Sequence, residues 1–120
     1  MCVFCQKQDH LIYKDTYVKA FYDRFPVSKG HLLIVPNRHT ASYFNLTPDE
    51  KSAMDRAIIF LKSYIDAKYQ PDGYNIGVNI GAASGQTVFH VHIHMIPRYE
   101  GDVAHPRGGV RGVIPSKQDY

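Results

Sequence analysis

The sequence lacks the features that mark membrane, secreted and nucleic-acid-binding proteins. No apolar run approaches the roughly 18 residues of a membrane span, and the first residues carry no basic and hydrophobic signal region. Lysine and arginine form no run of five, and the net charge is only +3, which suits an anionic small molecule better than nucleic acid. We therefore expect a cytoplasmic protein that contacts neither a membrane nor nucleic acid.

The length and composition fit one globular domain. The 120 residues are 44% hydrophobic and 21% charged, which is ordinary for a globular chain with one core. Internal repeats and low-complexity segments are absent. After Pro97 the periodicity is lost and glycine and proline recur. We predict a domain over residues 1–97 and a surface-hugging tail over residues 98–120.

Local patterns predict an α+β architecture, an antiparallel sheet of about five strands with one long helix packed on it. Aromatic, β-branched and alternating residues predict strands over 16–22, 31–35 and 74–80. The helix is predicted over about 48–68: Thr47 and Glu50 form a capping box, and Pro48 fits the first helical position. Its apolar positions follow helical spacing; they are Met54, Ala57, Ile58, Leu61 and Ile65.

Three histidines alternate along one short apolar segment near the end of the chain. His90, His92 and His94 are each separated by one residue, so in an extended strand they share one face. The other face is apolar; it carries Val91, Ile93 and Met95. Three imidazoles on one face of a strand indicate a functional site.

Two kinds of chemistry fit three imidazoles on one strand. Histidines at this spacing suit zinc, and a neutral imidazole is also a good nucleophile that forms covalent intermediates. The segment 84–87, which precedes the strand, offers hydroxyls, an amide and backbone N–H groups, the usual donors to phosphate. Asn79 on the preceding strand adds an amide. These neighbours favour catalysis at phosphorus.

Segment 90–96 resembles the His-φ-His-φ-His-φ-φ signature of the histidine triad (HIT) superfamily of nucleotide hydrolases and transferases, in which φ is apolar. The resemblance continues through residues 85–87, 26–36 and 2–5, so it covers nearly the full length. It implies a HIT-like fold for the predicted sheet and helix, and a HIT catalytic domain over 1–97. It also implies a two-fold homodimer, with the tail packed on its own domain or on the partner.

The resemblance implies named roles at matching positions. His92 matches the nucleophile that attacks the α-phosphorus of a nucleotide, and His90 and His94 match its flanking partners. A fourth histidine on a neighbouring strand corresponds to His31. The phosphate-binding positions of the family correspond to Asn79, Gln86 and Thr87, and its ribose-binding carboxylate corresponds to Asp23. The walls around the purine correspond to Val3, Phe4, Phe21 and Leu33.

A structural zinc site is implied by small bacterial family members that share the Cys-x-x-Cys motif. The ligands would be Cys2, Cys5, His39 and the first triad histidine, His90. All four positions are then filled by protein, as expected for a structural site. No organic cofactor is expected.

The substrate stays open between a dinucleoside polyphosphate and a nucleoside phosphoramidate. Arg24, Arg107 and Arg111 favour the polyphosphate slightly, because arginine suits a distal phosphate. Nucleotidyl transfer to a sugar phosphate is a more distant alternative. Two other classes remain: a nucleotide-binding signalling protein with incidental turnover, and a metallo-hydrolase with zinc on the triad itself.

Overall fold

A computed structural model describes residues 2–120; Met1, the first residue of the predicted domain, lies outside the described residues. The described residues form a five-stranded sheet, whose strands are β1 (Tyr13–Lys14), β2 (Val18–Tyr22), β3 (Leu32–Pro36), β4 (Gly73–Val78) and β5 (Ile93–Arg98). The strands lie in the order β1-β2-β3-β5-β4, and all neighbours are antiparallel. The predicted α+β architecture, with an antiparallel sheet of about five strands, is therefore confirmed.

The long helix α2 (Pro48–Tyr69) follows its predicted course closely. The Glu50 N–H donates to the Thr47 hydroxyl, and the Glu50 carboxylate accepts from the Thr47 N–H in return, which completes the capping box. Gln70 ends the helix in a left-handed conformation. One face of α2 packs on the sheet through buried residues; they are Ala53, Met54, Ala57, Leu61 and Ile65.

A short helix, α1 (Val3–Gln6), and the two-residue strand β1 were not predicted. Four residues carry too little periodicity to indicate a helix. The Cys2 side chain caps α1 by accepting the backbone N–H of Cys5 at 3.2 Å. The Cys-x-x-Cys motif, which suggested a zinc site, therefore also forms this turn.

Strand β5 lies between β3 and β4, and its two faces differ as the alternation predicted. Ile93 and Met95 are buried in the core beneath α2, and Val91 joins them just before the strand. On the opposite face, His94 pairs with Leu33 of β3 and with Gly77 of β4. This face positions the candidate site.

The predicted strand bounds need four corrections, of which the smallest is that β3 spans 32–36 rather than 31–35. β5 begins at Ile93, so His90 and His92 precede it, because the N–H of Val91 donates to the Thr40 carbonyl at 2.7 Å instead of joining the ladder. β2 begins only at Val18, since the Asp15 carboxylate accepts the N–H groups of residues 17 and 18 in a turn. β4 spans 73–78 rather than 74–80.

The buried side chain of Gln86 organises the loop between β4 and β5. Its Oε1 accepts the Gly81 N–H at 2.8 Å, and its Nε2 donates to the Ala41 and Val88 carbonyls at 2.9 and 3.2 Å. Gly81 adopts a φ of 88°, which glycine reaches without steric cost. Gln86 thereby fixes the chain that leads into the histidines.

The tail beyond β5 turns back along the sheet. Arg98 donates to Asp102 and to the Asn75 side chain of β4, and the Tyr99 hydroxyl donates to the Lys29 carbonyl at 2.7 Å. A 3₁₀ turn, Gly109–Val113, then lies near β4. Within residues 2–120, no helix is both long and apolar enough to span a bilayer.

The packing of α2 predicts that Leu61→Ala lowers the free energy of unfolding by about 2–5 kcal/mol, because it leaves a cavity in the core. Ile59→Ala on the same helix is the matched control; Ile59 is 71% exposed and Leu61 is fully buried, so the control changes it by about 0.5 kcal/mol or less. Urea denaturation of both variants measures the difference. Equal losses would contradict this orientation of the helix.

Candidate active site

The ring orientation of His92 is fixed by a backbone carbonyl. His92 Nδ1 lies 2.9 Å from the carbonyl oxygen of His90. A carbonyl only accepts hydrogen bonds, so Nδ1 must carry the proton. In the neutral ring, Nε2 then has a free lone pair, which is the state that a nucleophile requires.

A second hydrogen-bond chain fixes the proton positions of His31 and His94. The backbone N–H of Val27 donates to His31 Nδ1 at 3.1 Å, so the proton of neutral His31 lies on Nε2. That nitrogen is 2.9 Å from His94 Nδ1. His31 therefore donates to His94, whose own proton lies on Nε2 and is left for a substrate.

Burial keeps both of these histidines neutral. Burial lowers the pKa of His31 below its ordinary value of 6.5, although the charge of Asp23 raises it in part. Burial also lowers the pKa of His94, and the neighbouring imidazoles of His92 and His31 lower it further. The neutral ring is the form in which the hydrogen-bond chain from Val27 to His94 holds.

The carboxylate of Asp23 lies next to the hydrogen bond between His31 and His94. Its Oδ2 is 3.5 Å from His31 Nε2 and 3.9 Å from His94 Nδ1, while Oδ1 accepts the Phe25 N–H at 2.8 Å. The structure therefore gives Asp23 a contact with the histidines that sequence reasoning did not foresee. Oδ1 of Asp23 is therefore bound by the loop backbone, whereas Oδ2 faces the histidines.

Two cysteines and two histidines converge at the other end of the site. Cys2 Sγ, Cys5 Sγ and His39 Nδ1 lie 3.3, 3.4 and 3.3 Å from His90 Nδ1. The single lone pair of His90 Nδ1 cannot accept hydrogen bonds from all three of these groups at once. Ligand atoms bound to a tetrahedral zinc ion stand about 3.3–3.8 Å apart, so this donor set fits zinc.

His90 offers the nitrogen that a metal needs. Its Nε2 lies 2.8 Å from the Pro36 carbonyl and must donate to it, which leaves Nδ1 unprotonated and directed at the cluster. Burial also lowers the pKa of His90 and so favours the neutral ring. A backbone partner on the second nitrogen is the usual arrangement for a metal-binding histidine.

The three triad histidines do not share one metal site. Among residues 2–120, the groups that could hold a metal are the cysteine cluster and the set Asp23, His31 and His94. In the second set, His31 and His94 are already joined by a 2.9 Å hydrogen bond, which is shorter than the separation that zinc imposes on two ligands. The geometry therefore does not favour zinc on the triad itself.

An apolar floor lies beside His92, on β2 and β3. Phe21 and Leu33 are 4% exposed, and Phe4 packs on this cluster and edge-on against His92, with ring centroids 5.0 Å apart. Val3 is not part of this floor. It is 61% exposed and borders a recess with Thr87 near the cysteine cluster.

The predicted phosphate-binding side chains occupy different surroundings. The polar atoms of Gln86 are engaged by backbone groups, so the structure gives this side chain a role in the loop and leaves it no free donor. Thr87 is exposed near Cys2, whereas Asn79 borders a cavity next to His94. Of the three, Asn79 is the one that borders the same cavity as His31 and His94.

Several positioning groups were not predicted because they are backbone atoms. The Val27 N–H and the carbonyls of Pro36 and His90 set the histidine protonation, and no side-chain pattern reveals them. Lys19 was also missed. It is 3% exposed and donates to the Lys7 carbonyl at 2.6 Å, which ties the end of α1 to β2.

Comparison with known proteins agrees with this geometry. A family model described as the HIT domain matches residues 5–101. An uncharacterised HIT-like protein of Methanocaldococcus jannaschii is 39% identical over 109 residues, covering 85% of this chain and 82% of that protein. The crystal structure of a HIT family protein from Bacillus anthracis matches with a TM-score of 0.78 at 39% identity, covering 84% of this chain and 75% of that one.

Three other similar proteins have a known bound metal or a named activity. A Zn-bound histidine triad family protein from Mycobacterium smegmatis has a TM-score of 0.77 at 32% identity, covering 87% of this chain and 79% of that one. An adenylylsulfatase of Arabidopsis thaliana is 36% identical over 84% of this chain. An asymmetrical bis(5′-nucleosyl)-tetraphosphatase of Schizosaccharomyces pombe is 33% identical over 77% of it. This chain covers 54% and 50% of those two proteins.

The histidine arrangement, the sheet order and the similarity over most of the chain thus agree, and the chain belongs to the HIT family.

Proposed function

We propose that this protein hydrolyses a nucleoside 5′-phosphoryl compound at its α-phosphorus through a nucleotidyl-histidine intermediate on His92. The observation that carries this proposal is the 2.9 Å contact between His92 Nδ1 and the His90 carbonyl. It leaves Nε2 as an unprotonated nitrogen in a half-enclosed site. Relatives that act as an adenylylsulfatase and as a dinucleoside tetraphosphatase support the same reaction class.

In the first step, the lone pair of His92 Nε2 attacks the α-phosphorus and forms a P–N bond. The bond from phosphorus to the leaving group breaks, and its electron pair goes to the leaving atom. The Nε2–H of neutral His94 donates a hydrogen bond to that atom, since its Nδ1 is held by His31, and the leaving atom takes its proton from a water molecule, which becomes hydroxide. The nucleotide is then attached to His92.

In the second step, water attacks the same phosphorus and the bond to His92 Nε2 breaks. The attacking water releases one proton, which neutralises the hydroxide left by the first step, and His92 Nε2 regains its lone pair. A nucleoside monophosphate is released. The balance is one water consumed for one leaving group and one monophosphate, and neither step is a redox step.

The remaining contacts divide the site into regions for the nucleotide. The floor of Phe4, Phe21 and Leu33 suits the apolar face of a purine, and the free oxygen of Asp23 accepts ribose hydroxyls. Asn79 and the backbone before His90 supply donors for the phosphate. The exposed Val3 is proposed as an edge contact to the base, and Thr87 as a contact to the phosphate.

We also propose that Cys2, Cys5, His39 and His90 bind a structural zinc ion. The four converging donors and the Zn-bound relative support this assignment. Bound zinc would supply a cross-link between α1 and the segment before β5, with no coordination position left for substrate. The homodimer, the cytoplasmic location and the division at residue 97 stay predictions from the sequence.

The nucleophile assignment predicts that His92→Ala lowers kcat by at least about 10³-fold, because the covalent route is lost. Release of AMP from diadenosine tetraphosphate and from an adenosine phosphoramidate measures it. His10→Ala is the control, since His10 is exposed and lies outside the site, and it keeps wild-type rates. Wild-type AMP binding without turnover would favour a nucleotide-binding signalling protein instead.

The covalent intermediate also predicts the stereochemistry at phosphorus. Two in-line displacements each invert the configuration, so the product retains it. A chiral phosphorothioate substrate hydrolysed in isotopically labelled water distinguishes the outcomes. Net inversion would show direct attack by water and would contradict the role of His92.

The metal assignment predicts about one zinc per chain and its loss in Cys5→Ser, measured by elemental analysis of the purified protein. The unfolding temperature should fall in the variant, and a chelator should lower it in wild type only, since metal binding stabilises the folded state. His10→Ala retains the zinc. Full zinc occupancy in Cys5→Ser would contradict the ligand set.

The lowered pKa values of His31 and His94 predict a loss of stability in acid. Both pKa values lie below 6.5 in the folded chain, so the unfolded chain takes up protons first as the pH falls through 6.5. The free energy of unfolding then decreases by up to about 1.4 kcal/mol per pH unit for each histidine. His31→Gln should show a shallower decrease in urea titrations between pH 7 and 5; an unchanged slope would contradict the assignment.

A further inference from the structure

The ammonium group of Lys7 borders the apolar floor on which the base is proposed to lie. Lys7 Nζ lies 5.5 Å from the centroid of the Phe21 ring, which is within the range of a cation–π contact. Phe21 forms the floor with Leu33, and Phe4 packs on it with ring centroids 5.6 Å apart. A positive charge is therefore held at the surface that would receive the base.

The backbone of Lys7 is fixed on both sides of the residue. Its N–H donates to the Phe4 carbonyl at 3.4 Å, where α1 ends. Its carbonyl accepts from the ammonium group of Lys19 at 2.6 Å. Lys19 is itself buried in β2, so this anchor is set by the packing of the sheet. The Lys7 side chain thus extends over Phe21 from a backbone that is held in place.

Lys7 keeps hydrogen-bond donors for a ligand. An ammonium group has three N–H donors, and one of them faces the Asp9 carboxylate at 3.4 Å. The Asp9 side chain is 77% exposed, and ion pairs in such surroundings contribute little free energy. The Lys7 side chain is 29% exposed, so its stem covers apolar surface while its charged end stays accessible.

The position of Lys7 suits a contact with the base rather than with the phosphate. The Phe4 ring packs edge-on against His92, with centroids 5.0 Å apart, and it also packs on Phe21. Phe4 thus lies between the proposed nucleophile and the ring over which Lys7 extends. A nucleotide with its α-phosphorus at His92 and its base on Phe21 would present an edge of the base to the ammonium group.

The two kinds of purine present different groups to an ammonium. Guanine has two adjacent acceptors, O6 and N7, and hypoxanthine shares them, whereas adenine has an amino group at C6 beside N7. An ammonium group only donates hydrogen bonds. It can therefore bind both acceptors of a 6-oxopurine, but it meets an N–H donor on adenine.

We propose, on the basis of the function proposed above, that Lys7 donates to the O6 and N7 edge of the base and makes the site prefer a 6-oxopurine nucleotide over an adenine nucleotide. The preference arises in the segment that follows the Cys-x-x-Cys motif and not at the histidines. Adenine nucleotides remain substrates, because their apolar faces still pack on the floor. The steps at phosphorus are the same for every base.

Steady-state assays with guanosine, inosine and adenosine 5′-phosphoramidates test the proposal. In the wild type, kcat/KM should be roughly tenfold higher for guanosine and for inosine than for adenosine, the effect expected of hydrogen bonds that discriminate between base edges. The dissociation constants of GMP, IMP and AMP should differ in the same order. In Lys7→Met, which keeps an unbranched side chain over Phe21 without the charge, both ratios should fall to near unity. Lys7→Arg retains donors and should keep the preference.

Lys51→Met is the matched control. Lys51 also lies over an aromatic ring, with its Nζ 5.4 Å from the centroid of Tyr43. Tyr43 packs against the core beneath α2 and is not part of the apolar floor. The ratios between the three nucleosides should therefore equal those of the wild type.

Equal kcat/KM values for the three nucleosides in the wild type, or a preference for adenosine, would overturn the inference and leave the proposed function intact. A preference for guanosine without inosine would assign the discrimination to the N2 amino group and would also overturn it, as would unchanged ratios in Lys7→Met. Tighter binding of GMP and IMP than of AMP without any turnover would refute the proposed function and support the base preference. Neither turnover nor a difference in binding would refute both.

Discussion

The site depends on the hydrogen bond between His92 Nδ1 and the carbonyl of His90. That carbonyl stays in place because the His90 ring is held on both sides, by the Pro36 carbonyl at Nε2 and by the cysteine cluster at Nδ1. His90 is fully buried, so its ring has no alternative partner in solvent. His90 thus joins the cysteine cluster to His92, the proposed nucleophile, and the contacts that orient the His90 ring also determine which nitrogen of His92 is free.

The two faces of β5 serve different purposes, and the sheet order gives the site its polarity. Ile93 and Met95 pack beneath α2 and hold the strand in the core. His94 faces the other way, with Leu33 on one side and Gly77 on the other. Leu33 is buried, whereas a Cβ atom added at Gly77 would meet no heavy atom within 4 Å. The surroundings of His94 are therefore packed on the β3 side and open on the β4 side.

The elements that could be predicted from the sequence are those that depend on interactions between residues close together in the chain. The cap formed by Thr47 and Glu50 spans three residues, and the alternation of β5 is local. The start of β5 was missed because the Thr40 carbonyl, far away in the chain, takes the Val91 N–H. Gln86 was assigned to phosphate because its amide precedes the histidines, yet its donors are used by the distant Ala41 and by Val88. Hydrogen bonds to backbone carbonyl groups cannot be predicted from the pattern of side chains along the sequence.

The long span between the paired histidines has a consequence for folding. His31 and His94 are 63 positions apart, and Cys2 and His90 are 88 apart. The β2–β3 hairpin and α2 are made of local contacts, whereas contacts between distant segments carry a larger loop-closure entropy. A chain that has formed only its local elements lacks the hydrogen bond between His31 and His94. That bond requires β5 to dock against β3, which lies far away in the chain, so the proposed site depends on the long-range pairing of the sheet.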